Sequence, residues 1–135
     1  MAEIKKILAL DVGDAHIGVA LANTVARIPS PLAILENDLE VYSRIKDLIA
    51  EHDISLVVIG LPRNMAGEET VQSKTTRHFV DNLKDYINTK IVFADESLSS
   101  KRAEESGQKS PNSPKYLDDI AACFILEEYF ASSNE

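Results

Sequence analysis

The chain has 135 residues, with 14 Lys or Arg against 22 Asp or Glu, so its formal net charge at pH 7 is −8. This length suits one domain, and 44% apolar with 27% charged residues is typical of a globular chain with a hydrophobic core. The composition excludes collagen-like and low-complexity chains. The acidic balance, taken alone, argues against a nucleic-acid-binding protein, because phosphate binding depends on Lys and Arg.

The single cysteine, Cys123, excludes a disulfide framework and a zinc site built from cysteines. The longest apolar runs, 56–61 and 120–126, are far shorter than the roughly 20 residues of a membrane span. The N-terminus also lacks the apolar region of a signal peptide. We therefore expect a cytoplasmic protein with no membrane partner.

The first third of the chain predicts three strands joined by short turns. Apolar residues 7–10 end at Asp11, and a turn over 11–14 leads into a second apolar run over 16–22. A third strand follows two prolines and covers 32–35. These strands are expected to form an antiparallel meander.

After these strands, the pattern predicts alternating helices and strands. Apolar residues at helical spacing indicate a helix over about 38–51, with Asn37 as its cap and Glu40 in a capping-box position. The later elements follow in chain order: a strand over 56–59, a helix from 71 to 87, a strand over 90–94, a short helix over about 99–106, a mobile loop over 107–115 and a last helix over about 117–130. This order describes an α/β protein with a mixed sheet and helices on both faces.

Acidic residues stand at the ends of the buried elements. Asp11 ends the first strand, Glu96 comes just after the fifth, and Asp118 and Asp119 open the last helix. Ligands of open sheets bind beyond the strand ends, so these carboxylates could converge. Hard cations such as Mg²⁺ take carboxylate oxygens, and two such ions can activate water at a phosphodiester without a His or Cys nucleophile.

Each acidic residue also has an ordinary structural explanation. Asp11 with Gly13 is a common turn pair, and acids that precede or open a helix are favoured by its dipole. The loop over 60–67 follows a strand and could cradle phosphate, although it lacks the Gly-Lys-Ser/Thr ending of a P-loop. Only the position of all these acids together, next to buried elements, favours a functional site over these structural explanations.

Four segments, in order and over nearly the whole chain, resemble the YqgF/RuvX family. They are DVGDAHIGVA (11–20), VIGLP (58–62) with Met65 and Gly67, ADESLSS (94–100) and LDDIAA (117–122) with Ile125 and Leu126. Members of this family have the RNase H-like fold and are described as Holliday junction resolvases or, now usually, as nucleases that mature the ends of pre-16S ribosomal RNA. The resemblance implies one RNase H-like nuclease domain over 1–135, with three layers and a five-stranded mixed sheet.

The resemblance also implies roles for individual residues. The catalytic, metal-binding acids would be Asp11, Glu96 and Asp118, with Mg²⁺ or Mn²⁺ as cofactor. Helical spacing does not choose between Asp118 and Asp119 as the third ligand, and the motif favours Asp118. The expected substrate contacts are Gly13, His16, Arg63, Asn64, Lys101, Arg102, Lys109 and Lys115.

The chain departs from the family pattern at two positions. Family members commonly carry arginine where this chain has His16 and Ser97. Two guanidinium groups that would hold phosphate in a bidentate manner are therefore missing, while the three acids are kept. We therefore expect this chain to keep the fold of the family more fully than its contacts with substrate.

Together these features predict a metal-dependent endonuclease for structured nucleic acid, either pre-rRNA or branched DNA, with a ribosomal precursor particle as a candidate partner. The alternative is a non-catalytic nucleic-acid-binding or ribosome-assembly module on the same fold. Sugar kinases and actin-like ATPases share the Asp-x-Gly turn, but they need two domains around a nucleotide. The sequence leaves the substrate, the metal and the oligomeric state open.

The distribution of charge weakens the first objection to nucleic acid. Residues 36–53 carry a net charge of −4, whereas residues 101–115 carry +2. Cations bound at the site would offset the acids around it. We therefore expect weak, metal-dependent and salt-sensitive binding through a small basic rim.

Overall fold

A computed structural model describes residues 5–62, 66, 68–95 and 114–132, with the backbone alone at 95 and 114–120. Its strands are β1 (Lys6–Val12), β2 (His16–Asn23), β3 (Ser30–Glu36), β4 (Ile54–Leu61) and β5 (Lys90–Asp95). Its helices are α1 (Val41–His52), α2 (Val71–Leu83) and α3 (Pro114–Ser132). None of the helices within these ranges is both long enough and apolar enough to cross a membrane.

The strands form one mixed sheet in the order β3-β2-β1-β4-β5. β1 pairs with β2, and β2 with β3, in antiparallel fashion, whereas β1, β4 and β5 run parallel. This confirms the predicted α/β architecture of three antiparallel strands followed by parallel ones. The parallel strands end at one edge of the sheet, at Val12, Leu61 and Asp95, which we call the carboxyl edge.

Both faces of the sheet are covered, which explains why the central strands are apolar at every position. Leu8 and Leu10 of β1 belong to a cluster with residues of α1 and α2, whereas Ile7 and Ala9 belong to a cluster with α3. Successive residues of a strand point to opposite faces, so an uninterrupted apolar run is required where both faces are buried. The result is a three-layer α/β/α arrangement.

Helix α3 runs antiparallel to β1 and spans the height of the sheet. Tyr129 and Phe130, near its end, line a cavity with Lys5 and Lys90 at the beginnings of β1 and β5. Its 19 residues give a length of about 28 Å, close to the roughly 23 Å of the seven-residue β1. The beginning of α3 therefore lies toward the carboxyl edge.

Two local predictions were wrong. Asn37 does not cap α1: its side-chain amide donates to Gly13 O at 2.7 Å, and Glu40 occupies the cap position without a side-chain hydrogen bond. Helix α3 begins at Pro114, so residues 114 and 115 are helical instead of part of the predicted loop. Proline fits a first helical turn because its missing N–H has no helical partner there. The predicted helix over 99–106 lies outside the described residues.

Candidate active site

Asp11 lies at the carboxyl edge, on the face of the sheet that α3 covers. Ile7 and Ala9 pack in the α3-side cluster, and the two-residue period of β1 continues to Asp11. The side chain is half-buried, whereas those of the residues before it are buried. The central strand thus presents one carboxylate at its end, next to the helix that carries two more acids.

The residues beside Asp11 in the sheet are small. Gly18 of β2 is its antiparallel partner, and Gly60 of β4 follows Ile59, the partner of Leu10. Ala94 of β5 in turn pairs with Gly60. No bulky side chain from these positions therefore covers the carboxylate.

The turn after β1 is tight and fixed by hydrogen bonds. Gly13 N donates to His16 O at 2.9 Å, and the Asn37 backbone N donates to Ala15 O at the same distance. A Cβ atom at position 13 would lie 2.7 Å from His16 O, so only glycine fits without a shift of the backbone. With the Asn37 amide on Gly13 O, these contacts hold the turn against the segment after β3.

His16 is the first residue of β2 and is half-buried. It lies two residues from Gly18, the partner of Asp11, and therefore on the same face of the sheet. Diagonal neighbours of this kind are about 7–8 Å apart. Of the predicted substrate contacts, Gly13 and His16 are thus brought close to Asp11.

The beginning of α2 packs against the carboxyl edge and fixes the end of β4. Gln72 Nε2 donates to Val12 O at 3.2 Å, and the hydroxyl of buried Ser73 donates to Pro62 O. Ser73 also forms a capping box with Thr70. The sequence reasoning missed these residues; the spacing of Thr70 and Ser73 is a helix-start signal, but no local pattern identifies Gln72 as a partner of β1.

Asp118 and Asp119 lie in the second turn of α3, not at its beginning as predicted. The effect of a helix dipole falls off within the first turn, so the dipole is a weaker reason for these acids than the sequence suggested. Lys115 lies in the first turn of the same helix. The helix direction brings all three backbone positions toward the carboxyl edge, where Asp11 stands.

Part of the predicted site lies outside the described residues: Glu96, Ser97, Arg63, Asn64, Lys101, Arg102 and Lys109. Among the described side chains, no group of three His, Cys, Asp or Glu residues is arranged to hold a metal. The chemistry at Asp11 nevertheless fits a divalent cation, because a half-buried carboxylate supplies the hard oxygen ligands that Mg²⁺ and Mn²⁺ prefer.

Comparison with known families gives a match along almost the entire chain. The model of the family described as RuvX, Holliday junction resolvase, matches residues 5–132. The chain belongs to the RuvX family. This confirms the resemblance carried by the four sequence motifs.

RuvX relatives of similar length are known by another name. A protein of Sulfurihydrogenibium sp. (strain YO3AOP1), named "Putative pre-16S rRNA nuclease", is 39% identical over 130 residues, covering 93% of this chain and 90% of the relative. A protein of Chloroflexus aggregans with the same name is 36% identical over 129 residues, covering 91% of each chain.

Solved structures confirm the fold of this RuvX chain. Thermus thermophilus RuvC, in a complex with a Holliday junction substrate, matches 96% of the chain and 97% of its own with a TM-score of 0.61 at 11% identity. The fowlpox virus resolvase with Holliday junction DNA gives 0.57 at 16% identity, covering 96% and 99% of the two chains. The RNase H-like fold expected from the sequence is therefore the fold of this protein.

Proposed function

We propose that residues 1–135 form a single nuclease domain that hydrolyses phosphodiester bonds in structured nucleic acid, with the ends of pre-16S rRNA as the substrate. The observation that carries the proposal is the half-buried Asp11 carboxylate, which stands between Gly18 and Gly60 at the carboxyl edge of a RuvX fold. The name of the relatives supports the RNA substrate. Branched DNA is the second substrate to test, since the family description and the structural neighbours concern Holliday junctions.

We infer that Asp11, Glu96 and Asp118 hold Mg²⁺ or Mn²⁺, with Asp119 as the other candidate for the third ligand. Bound ions of this kind lower the pKa of water and stabilise charge on the leaving oxygen. Asp11 is suited to this role because its backbone pairs with Gly18 and directly follows Leu10, which pairs with both neighbouring strands. Glu96 directly follows Asp95, the last residue of β5, and α3 carries the remaining acids toward the same edge.

The substrate backbone would be held around this edge. The N–H of Gly13 is already bonded within the turn, so its part is to keep the turn small and the approach to Asp11 open. His16 can donate one hydrogen bond to a phosphate when neutral, whereas an arginine would donate two in a fixed fork. The remaining contacts would come from Arg63, Asn64, Lys101, Arg102, Lys109 and Lys115.

The acidic segment 36–53 begins beside the proposed site, where Glu36 pairs with His16, and continues into α1. Helix α1, which makes up most of it, packs on the face opposite α3 through Val41 and Ile45. Arg44 on this helix is held by Asp38 at 2.7 Å and Glu40 at 3.4 Å. The nucleic acid would therefore approach from the α3 side, on the face of the sheet opposite the acids of α1.

The decisive experiment is a cleavage assay with matched variants. Purified wild type, Asp11→Asn and Asp47→Asn are incubated with a pre-16S rRNA end and, separately, a four-way DNA junction, with Mg²⁺ or Mn²⁺ at one salt concentration. Asp47 is exposed on α1 and controls for the loss of one negative charge. We expect D11N to lose at least about 100-fold in rate, the order of one essential electrostatic contribution, while D47N keeps wild-type activity. Undiminished cleavage by folded D11N would refute the assignment.

A non-catalytic nucleic-acid-binding or ribosome-assembly module is the second candidate, favoured by His16 and Ser97 at positions where the family commonly has arginine. Under this alternative the wild type binds RNA, but its cleavage with either metal does not exceed that of a double variant of Asp11 and Glu96. Metal-dependent turnover above that double variant excludes it.

A further inference from the structure

A cavity of about 290 Å³ lies at the opposite edge of the sheet from Asp11. It opens between the beginnings of β1, β4 and β5 and the last turns of α3. Lys5 lies at its rim, six residues before Asp11, which corresponds to about 20 Å along an extended strand. The cavity is thus separate from the proposed nuclease site, and its volume is at the small end of ligand pockets.

The charged residues that line the cavity, within the described part of the chain, are all cationic. Lys5, Arg27 and Lys90 come from three different parts of the chain, and all three line it. Within the described ranges, none of the three forms an ion pair, in contrast to Arg44 and Arg77, which pair with acids. In a chain of net charge −8, three gathered cations favour an anionic ligand.

A hydrogen-bonded turn fixes the backbone of Arg27. Its backbone has φ = 57°, a left-handed conformation that is uncommon for residues other than glycine. Asn23 stabilises the turn: its side-chain oxygen accepts from Val25 N and Ala26 N at 2.9 and 2.7 Å, and its carbonyl accepts from Arg27 N at 3.0 Å. The guanidinium carbon then lies 5.4 Å from the ring centre of Phe130. Such positioning of a strained residue is typical of functional sites.

A second irregularity occurs in the sheet at the cavity. Lys6 pairs with Ile54 and Ile7 with Leu56, so Ser55 between them has no partner on β1. Bulges of this kind re-aim a side chain and are frequent beside binding sites. Ser55 lines the cavity, as does Thr24, whose backbone and hydroxyl are bonded to the backbone of Lys5.

The geometry points to a nucleotide-binding site: we propose that this cavity takes one nucleotide unit, with its phosphate on the cations and its base against the rings. Lys5 and Lys90 would neutralise the phosphate, with the Ser55 hydroxyl as a further donor. Tyr129 and Phe130, whose ring centres are 5.8 Å apart, and the Arg27 guanidinium supply the flat surfaces on which unpaired bases stack. The unit is either a free nucleotide or one residue of a single-stranded RNA.

Binding is measured by NMR of ¹⁵N-labelled full chain and by calorimetry, with AMP, adenosine, inorganic phosphate and a hexanucleotide of adenylate as separate probes. We expect AMP to shift the amides of Thr24, Ser55 and Phe130 but not that of Gly18, and to bind at least about five-fold more tightly than adenosine or phosphate. Tighter binding of the hexanucleotide than of AMP would assign the site to an RNA strand, and the reverse order to a free nucleotide.

Two variants remove groups of the proposed binding site while keeping the structure around them. R27G removes the guanidinium and places glycine where the backbone favours it, so the turn is kept. F130L keeps an apolar side chain but removes the ring. Each should weaken binding at least about five-fold, while K46Q, on the exposed side of α1, should not. Absence of saturable shifts around the cavity with both AMP and the hexanucleotide, or unchanged affinity in both R27G and F130L, would overturn the proposal.

Discussion

Replacement of Gly13 by alanine tests how the turn after β1 supports the carboxyl edge. The added Cβ would lie 2.7 Å from His16 O, whereas ordinary van der Waals contact begins at 3.4 Å. The obstacle is backbone held in the β1–β2 pairing at Val12 and Ile17, so it cannot rotate away as a side chain would. The turn must therefore open.

Opening the turn breaks or lengthens two hydrogen bonds: Gly13 N to His16 O at 2.9 Å and the Asn37 amide to Gly13 O at 2.7 Å. Each bond of this kind contributes about 1 kcal/mol, so Gly13→Ala should lower the free energy of unfolding by about 2 kcal/mol. For a domain of this size that corresponds to a drop in Tm of roughly 6–10 °C.

Thermal and urea unfolding followed by circular dichroism measure this change. Ala15→Ser is the matched control, because it alters an exposed residue of the same turn and leaves the backbone bonds in place. Under the proposed function, Gly13→Ala should also slow cleavage, because Asp11 is two residues away. A Tm within 1 °C of the wild type would refute the steric reasoning.

Three further predictions concern other parts of the molecule. The Arg44 guanidinium holds the pKa of Asp38 below its ordinary 3.8. The ionised Asp38 carboxylate therefore stabilises the fold above that pH, and this contribution is lost as the pH falls through the lower pKa of the folded state. In R44Q the pKa of Asp38, followed by NMR titration of the carboxyl group, should rise, and an unchanged pKa would contradict this explanation. Leu126→Ala should destabilise by about 3 kcal/mol in urea unfolding, since Leu126 of α3 is fully buried in the cluster between this helix and the sheet; a loss below about 1 kcal/mol would mean that the helix is loosely packed. Thr76→Val should stabilise by about 1 kcal/mol, because the buried hydroxyl has no hydrogen-bond partner among the described residues, and destabilisation would reveal a partner.

The elements of the fold could be predicted from local pattern because both faces of the sheet are buried. Continuous apolar runs over 7–10 and 56–59 mark strands that tolerate no polar side chain on either face, and both lie within observed strands. The helix boundaries were less predictable. Asn37 has the chemistry of a helix cap, but it bonds to Gly13, a residue 24 positions away, which no local rule can foresee.

The sequence by itself determined the family, the α/β class and the placement of Asp11 at a strand end, because these follow from motifs and from hydrophobic periodicity. Only the tertiary structure decided what surrounds Asp11. Strand register sets Gly18 and Gly60 beside it, and the direction of α3 brings positions 118 and 119 toward the same edge. At the other edge, Lys5, Arg27 and Lys90 are distant in sequence and meet around one cavity. These contacts depend on the pairing of segments that are distant in sequence. The free energy of the whole fold selects that pairing, and no short stretch of residues encodes it.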